Sequence, residues 1–148
     1  MTRVDCGGSP TPIPEVLKHY PWLLPIFWLI TRGVEEPGEI TLESVSGRLG
    51  VPKRLARTLV HYAVKAGILH RSGGSYKAYA PACIDVIDVR RKGRYYAAVV
   101  GDTVYVAKTL SRRVRWFTVP REHIGELETL EGKARYRAVV AKKVLGDL

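Results

Sequence analysis

Residues 41–81 read TLESVSGRLGVPKRLARTLVHYAVKAGILHRSGGSYKAYAP, and the order of helix, turn and strand signals within them decides the fold. Thr41 is an N-cap candidate, and Leu42, Val45 and Leu49 repeat at helical spacing up to Gly50, which predicts a short first helix. Ser44 lacks the longer side chain that a capping box uses, so no box is expected. Gly50-Val51 breaks the chain, and Pro52 suits the first turn of a second helix because its missing N–H would have been unpaired there. That helix is expected to run to Ala66 and close at Gly67. At 100° per residue Leu55, Ala56, Leu59, Val60, Tyr62, Ala63 and Ala66 share one apolar side, opposite Arg54, Arg57, Thr58, His61 and Lys65. Lys53 joins the cations at the N-terminal end. After Gly67, Ile68–Arg71 and Tyr76–Tyr79 flank Ser72-Gly73-Gly74-Ser75, a two-stranded ribbon by composition.

This stretch resembles the winged helix-turn-helix family of prokaryotic DNA-binding regulators in its L-x-x-x-L-G-V turn, the basic helix that follows, and the A-G-I-L entry into a hairpin. The resemblance covers residues 14–81 and does not extend beyond them. It implies that the second helix enters the major groove, with base contacts from Lys53, Arg54, Arg57 and Thr58 and with His61 at the margin. A lone histidine in mid-helix carries little weight by itself. The hairpin would reach a flanking groove or phosphates through Arg71, Ser75 and Lys77. The chain departs from a general reader in one respect: it contains no Asn and no Gln, the side chains best suited to adenine. Readout would then rest on arginine with guanine, thymine methyl contacts, or DNA shape.

Working outward, residues 1–13 are rich in Gly, Ser and Pro and read as a flexible arm. Pro14 starts a short helix to Tyr20, and Pro21 redirects the chain into a second helical stretch closed by Gly33. Trp22 to Ile30 is apolar nearly all round, which fits either core or a homodimer interface of the kind that paired half-sites require. The run Pro21–Ile30 is too short for a bilayer span, which needs about 20 residues. No secretion signal is visible, so a soluble, cytoplasmic protein with no membrane partner is expected.

Beyond Pro81 the apolar pattern alternates. Ile84–Val89, Arg94–Val100, Thr103–Leu110, Val114–Val119 and Ala134–Leu145 read as five antiparallel strands, with a hairpin turn at Gly101-Asp102. A helical turn is expected around Glu122–Leu130. The expected class is therefore α+β: an N-terminal winged helix-turn-helix over 14–81, then a small antiparallel sheet or barrel-like half over 82–148. That second half holds 14 Lys and Arg against eight Asp and Glu. Alternation places Arg113, Arg115 and Phe117 on one face, and with Arg94, Arg135 and Arg137 they define a second basic surface. With Tyr95, Tyr105 and Tyr136 it would suit single-stranded DNA or RNA, including a ribosome-associated role. A half-buried sheet kept soluble by arginine gives the same pattern.

The whole chain is 148 residues long with a net charge of +10, a field that attracts polyanions and makes nucleic acid the first partner to test. The absence of amides, the single Met and two Cys suggest a thermophilic source. Cys6 and Cys83 lack metal-ligand spacing, which leaves a reducing cytoplasm or one disulfide between them. Neither a catalytic motif nor a phosphate-binding loop occurs, so no enzyme, metal or cofactor is expected. Duplex DNA binding in transcription regulation is the leading expectation. Single-strand or RNA binding and a protein-interaction scaffold are the alternatives.

Overall fold

A computed structural model describes residues 13–30, 40–78 and 88–146. The expected arm, apart from Ile13, lies outside the described residues, as do Gly33, residues 84–87 of the first expected strand, and both cysteines. The chain forms α1 (Ile13–His19), a 3-10 turn (Pro21–Leu23), α2 (Leu24–Trp28), α3 (Leu42–Leu49) and α4 (Lys53–Lys65), then the hairpin β1 (Leu69–Ser72) and β2 (Ser75–Ala78). A second sheet follows: β3 (Arg90–Lys92), β4 (Tyr95–Val100), β5 (Thr103–Thr109) and β6 (Val114–Pro120), with α5 (Arg121–Ile124) and α6 (Gly132–Leu145) after it. The architecture is α+β, with one two-stranded and one four-stranded antiparallel sheet, the latter in the order β3-β4-β5-β6.

Local chemistry explains the helix pair. Thr41 caps α3 and, contrary to the expectation, a capping box does form: the Thr41 Oγ1 accepts from the Ser44 N–H at 3.1 Å, and the Ser44 Oγ accepts from the Thr41 N–H at 2.9 Å. A hydroxyl at the third position is short, but it reaches because the cap residue is extended at φ −111°. Gly50 ends α3 at φ +65°, a conformation an L side chain resists, and the Val51 N–H closes the turn on the Ser46 carbonyl at 3.1 Å. Pro52 is the cap of α4 rather than its first residue, with φ −60° and ψ 152°. Leu55, Ala56, Leu59, Val60 and Ala63 are buried, so the apolar side read from the sequence is the side that faces the core.

The four-stranded sheet is covered on both faces, and its period of two sorts the residues. Tyr96 pairs with Ala107 and Ala98 with Tyr105. These four face α2 and the 3-10 turn before it, in a core that also takes in Leu17, Leu24, Phe27 and Leu59. Ala97, Val104, Val106 and Val119 face the other way, against Ala138, Ala141, Val144 and Leu145 of α6. The first core runs across the boundary expected at Pro81, so the two halves share one packing unit.

One expectation changes here. Residues 134–145 are helix, not a fifth strand, and Arg135 and Arg137 are therefore not on the sheet. Their buried neighbours recur at 138, 141, 144 and 145, a helical period. The Ala-, Lys- and Arg-rich sequence favours helix, and the apolar second face of the sheet needs a cover. In the Trp22–Ile30 segment Leu23, Leu24, Ile26, Phe27 and Leu29 are all buried, in keeping with the core reading of this stretch. Trp22 meets Tyr62 edge-on at 4.8 Å, and Trp28 meets Tyr96 at 5.8 Å.

Candidate nucleic-acid interface

α4 puts Lys53, Arg54, Arg57, Thr58, His61 and Lys65 on its exposed side. Lys53 approaches Glu43 at 3.8 Å, but both side chains are about two-thirds exposed (66% and 70%), a pairing that water screens and that holds Lys53 only weakly. The Thr58 hydroxyl donates to the Arg54 carbonyl at 3.2 Å. Its hydrogen is used within the helix, and its methyl is the group left to offer outward. His61 stands edge-on to Tyr62 at 5.1 Å, with Lys65 5.8 Å from the same ring on the helix flank. No side chain caps the N-terminus of α4, so its first N–H groups, at the positive end of the helix dipole, are unsatisfied from within the helix.

The hairpin is tied to the helix pair. Ile40, just ahead of α3, exchanges two backbone hydrogen bonds with Tyr76 of β2, at 2.7 and 2.8 Å. Sequence reading missed this bridge, because a single paired residue leaves no alternation to read. Gly73-Gly74 forms the hairpin tip between the paired Ser72 and Ser75. Arg71 is exposed and lies 6.0 Å from the Tyr76 ring. Ser75 is only 6% exposed, which removes it from the exposed set that the resemblance implied. The backbone of Lys77 pairs with His70 in the hairpin, and its side chain is outside the described residues.

The second basic surface divides into two places. Arg115 shares a sheet face with Lys108, its cross-strand partner, on the side covered by α6. There Lys108 lies 4.9 Å from the Tyr95 ring and Arg137 5.6 Å from the Phe117 ring. These two rings are thus covered by cations, and Tyr105 is buried on the opposite face. Tyr136, 62% exposed on α6, and Trp116, 49% exposed on the edge strand β6, stand open. Arg135 is exposed on α6. Arg94 and Arg113 belong instead to the end of the sheet nearest α4. That end and the turn before α4 bound a cleft of about 290 Å³, lined by Gly50, Val51 and Pro52 on one side and Arg94, Thr109, Leu110 and Ser111 on the other.

Arg91, in the middle of β3, joins the two parts. It is half-buried, 4.7 Å from the Trp28 ring and 5.1 Å from the Tyr96 ring. It donates to the Arg48 carbonyl at 2.7 Å and to the Gly93 carbonyl at 2.9 Å. The first of these satisfies a carbonyl in the last turn of α3 that the helix itself leaves open. Beneath it, Tyr96 is fully buried with no partner for its hydroxyl, and that burial pushes its pKa up to about 12 against the opposing pull of Arg91.

Among the described residues, no three His, Cys, Asp or Glu side chains are grouped to hold a metal ion. No described helix is long and apolar enough to cross a membrane. Compared with known proteins, the chain matches no family model, no curated protein and no solved structure.

Proposed function

We propose that this protein binds duplex DNA in the manner of a winged helix-turn-helix regulator, with α4 in the major groove and the β1–β2 hairpin against the flanking backbone. The observation that carries the reading is the division of α4. Its apolar side is locked into the core, while Lys53, Arg54 and Arg57 stand exposed around an N-terminus that no side chain caps. A helix held this way offers cations and free N–H groups in one place, which suits phosphates, and its first exposed side chains suit base edges. The Ile40 bridge supports the same reading, since it fixes the hairpin relative to the helix pair before any ligand arrives.

The geometry favours this over single-strand binding on the α6 side. Stacking platforms need several open rings in a row, whereas Lys108 and Arg137 already lie against Tyr95 and Phe117, which leaves Tyr136 of α6 and Trp116 of β6 as the exposed rings among the described residues. Charge reversal at Arg54 and Arg57 tests the proposal. Each bidentate arginine contact is worth about 1–3 kcal/mol, so R54E/R57E is expected to weaken duplex binding by at least about 30-fold with unchanged thermal stability. Unchanged duplex affinity in that variant would overturn it.

A further inference from the structure

The four-stranded sheet is charge-polarised along its length. At the end where β3 turns into β4 and β5 into β6, the chain carries Lys92, Arg94, Arg112 and Arg113, all exposed. At the other end lies Asp102, whose carbonyl accepts from the Arg121 N–H at 2.8 Å. The segment leaving that end carries Glu122, Glu126 and Glu128 against Arg121. The basic end is the one that meets α4, because Arg94 and Ser111 form the far wall of the cleft whose near wall is Pro52, the cap residue of α4.

A duplex that takes a helix into its major groove must pass one of its backbones on each side of that helix. The groove is about 12 Å wide, so loops across the cleft from the helix N-terminus stand beside a phosphate strand. We propose that Arg94 and the β5–β6 loop, through Arg112 and Arg113, clamp the sugar–phosphate backbone of the same duplex that α4 reads. This rests on the reading of α4 given above. It assigns to the sheet a role as a second grip on duplex DNA and not as a separate site for single strands. It also separates Arg94 and Arg113 from Arg115, Arg135 and Arg137, which belong to the α6 side and take no part.

The test is the salt dependence of binding to a fluorescein-labelled duplex of about 30 base pairs, roughly three helical turns. Each phosphate neutralised contributes about 0.9 to the slope of log affinity against log salt concentration. The variant R94A/R112A/R113A is expected to lower that slope by about 2–3 while keeping the wild-type melting temperature, since all three side chains are exposed. A hydroxyl-radical footprint should lose protection on one flank of the bound region. An unchanged slope and footprint in that variant, where duplex binding by the wild-type protein depends on Arg54 and Arg57, would overturn the clamp and leave the role of α4 standing. Loss of single-strand binding alone would also overturn it. A wild-type protein that binds no duplex would overturn both.

Discussion

Replacing Arg91 by alanine is expected to loosen the junction between the helix pair and the sheet. The guanidinium makes two kinds of contact there: face contacts with Trp28 and Tyr96, and hydrogen bonds to the Arg48 and Gly93 carbonyls. At a half-exposed site the ring contacts together are worth about 1 kcal/mol. Hydrogen bonds from a charged donor contribute about 1.5 kcal/mol or more, taken at the low end because solvent can replace part of them. Losing both places the cost of R91A at about 2–3 kcal/mol. For a chain of this size that lowers the melting temperature by about 4–12 °C. Lysine keeps the charge but not the planar fork, so R91K is expected to recover less than half of the loss. Urea denaturation followed by tryptophan fluorescence measures the energy. Amide exchange at Gly50 and Val51 measures whether the turn before α4 has been freed. A loss below about 0.5 kcal/mol, within the range of ordinary surface substitutions, would refute the view that Arg91 joins the two parts.

Three other outcomes are expected. Because burial raises the folded-state pKa of Tyr96 from 10 to about 12, the unfolded chain ionises first, so stability is unaffected by this group below pH 10 and falls as pH rises from 10 through 12, by up to about 3 kcal/mol; an alkaline denaturation series should show Y96F losing less stability than wild type across that window. T58V should bind duplex DNA within about twofold of wild type in an anisotropy titration, since the hydroxyl hydrogen is already committed to Arg54. Substituting 7-deazaguanine for guanine in a bound duplex removes an acceptor that arginine uses and should weaken binding by about 1 kcal/mol or more, measured by competition against the unmodified duplex.

Much of α3 and α4 was legible in the sequence because each signal there is local. Apolar spacing, a glycine that ends one helix and a proline that precedes the next all act within a few residues. α6 was not, because in KARYRAVVAKKVL the apolar residues fit an alternating pattern as readily as a helical one, and what decides is the uncovered face of a sheet far away in the chain. Tyr95 and Tyr105 look alike in sequence, yet the register puts Tyr105 opposite Ala98 and Tyr95 opposite Lys108, which sends them to opposite faces. Ser75 reads as part of a polar hairpin tip, and only its pairing with Ser72 and its burial show that its side chain turns inward. The exposed cations of α4 were recovered from helical geometry alone. The cleft beside them depends on how the strands turn, and no local pattern carries that.

The central claim is that α4 presents a surface for duplex DNA. A competition experiment tests it most directly, with labelled duplex DNA challenged in turn by unlabelled duplex, single-stranded DNA and structured RNA at a fixed salt concentration, for wild type and for R54E/R57E. The account predicts that duplex competes best against the wild-type protein and that the variant loses the duplex. Preferential displacement by single-stranded DNA or RNA, or a duplex affinity indifferent to Arg54 and Arg57, would contradict it.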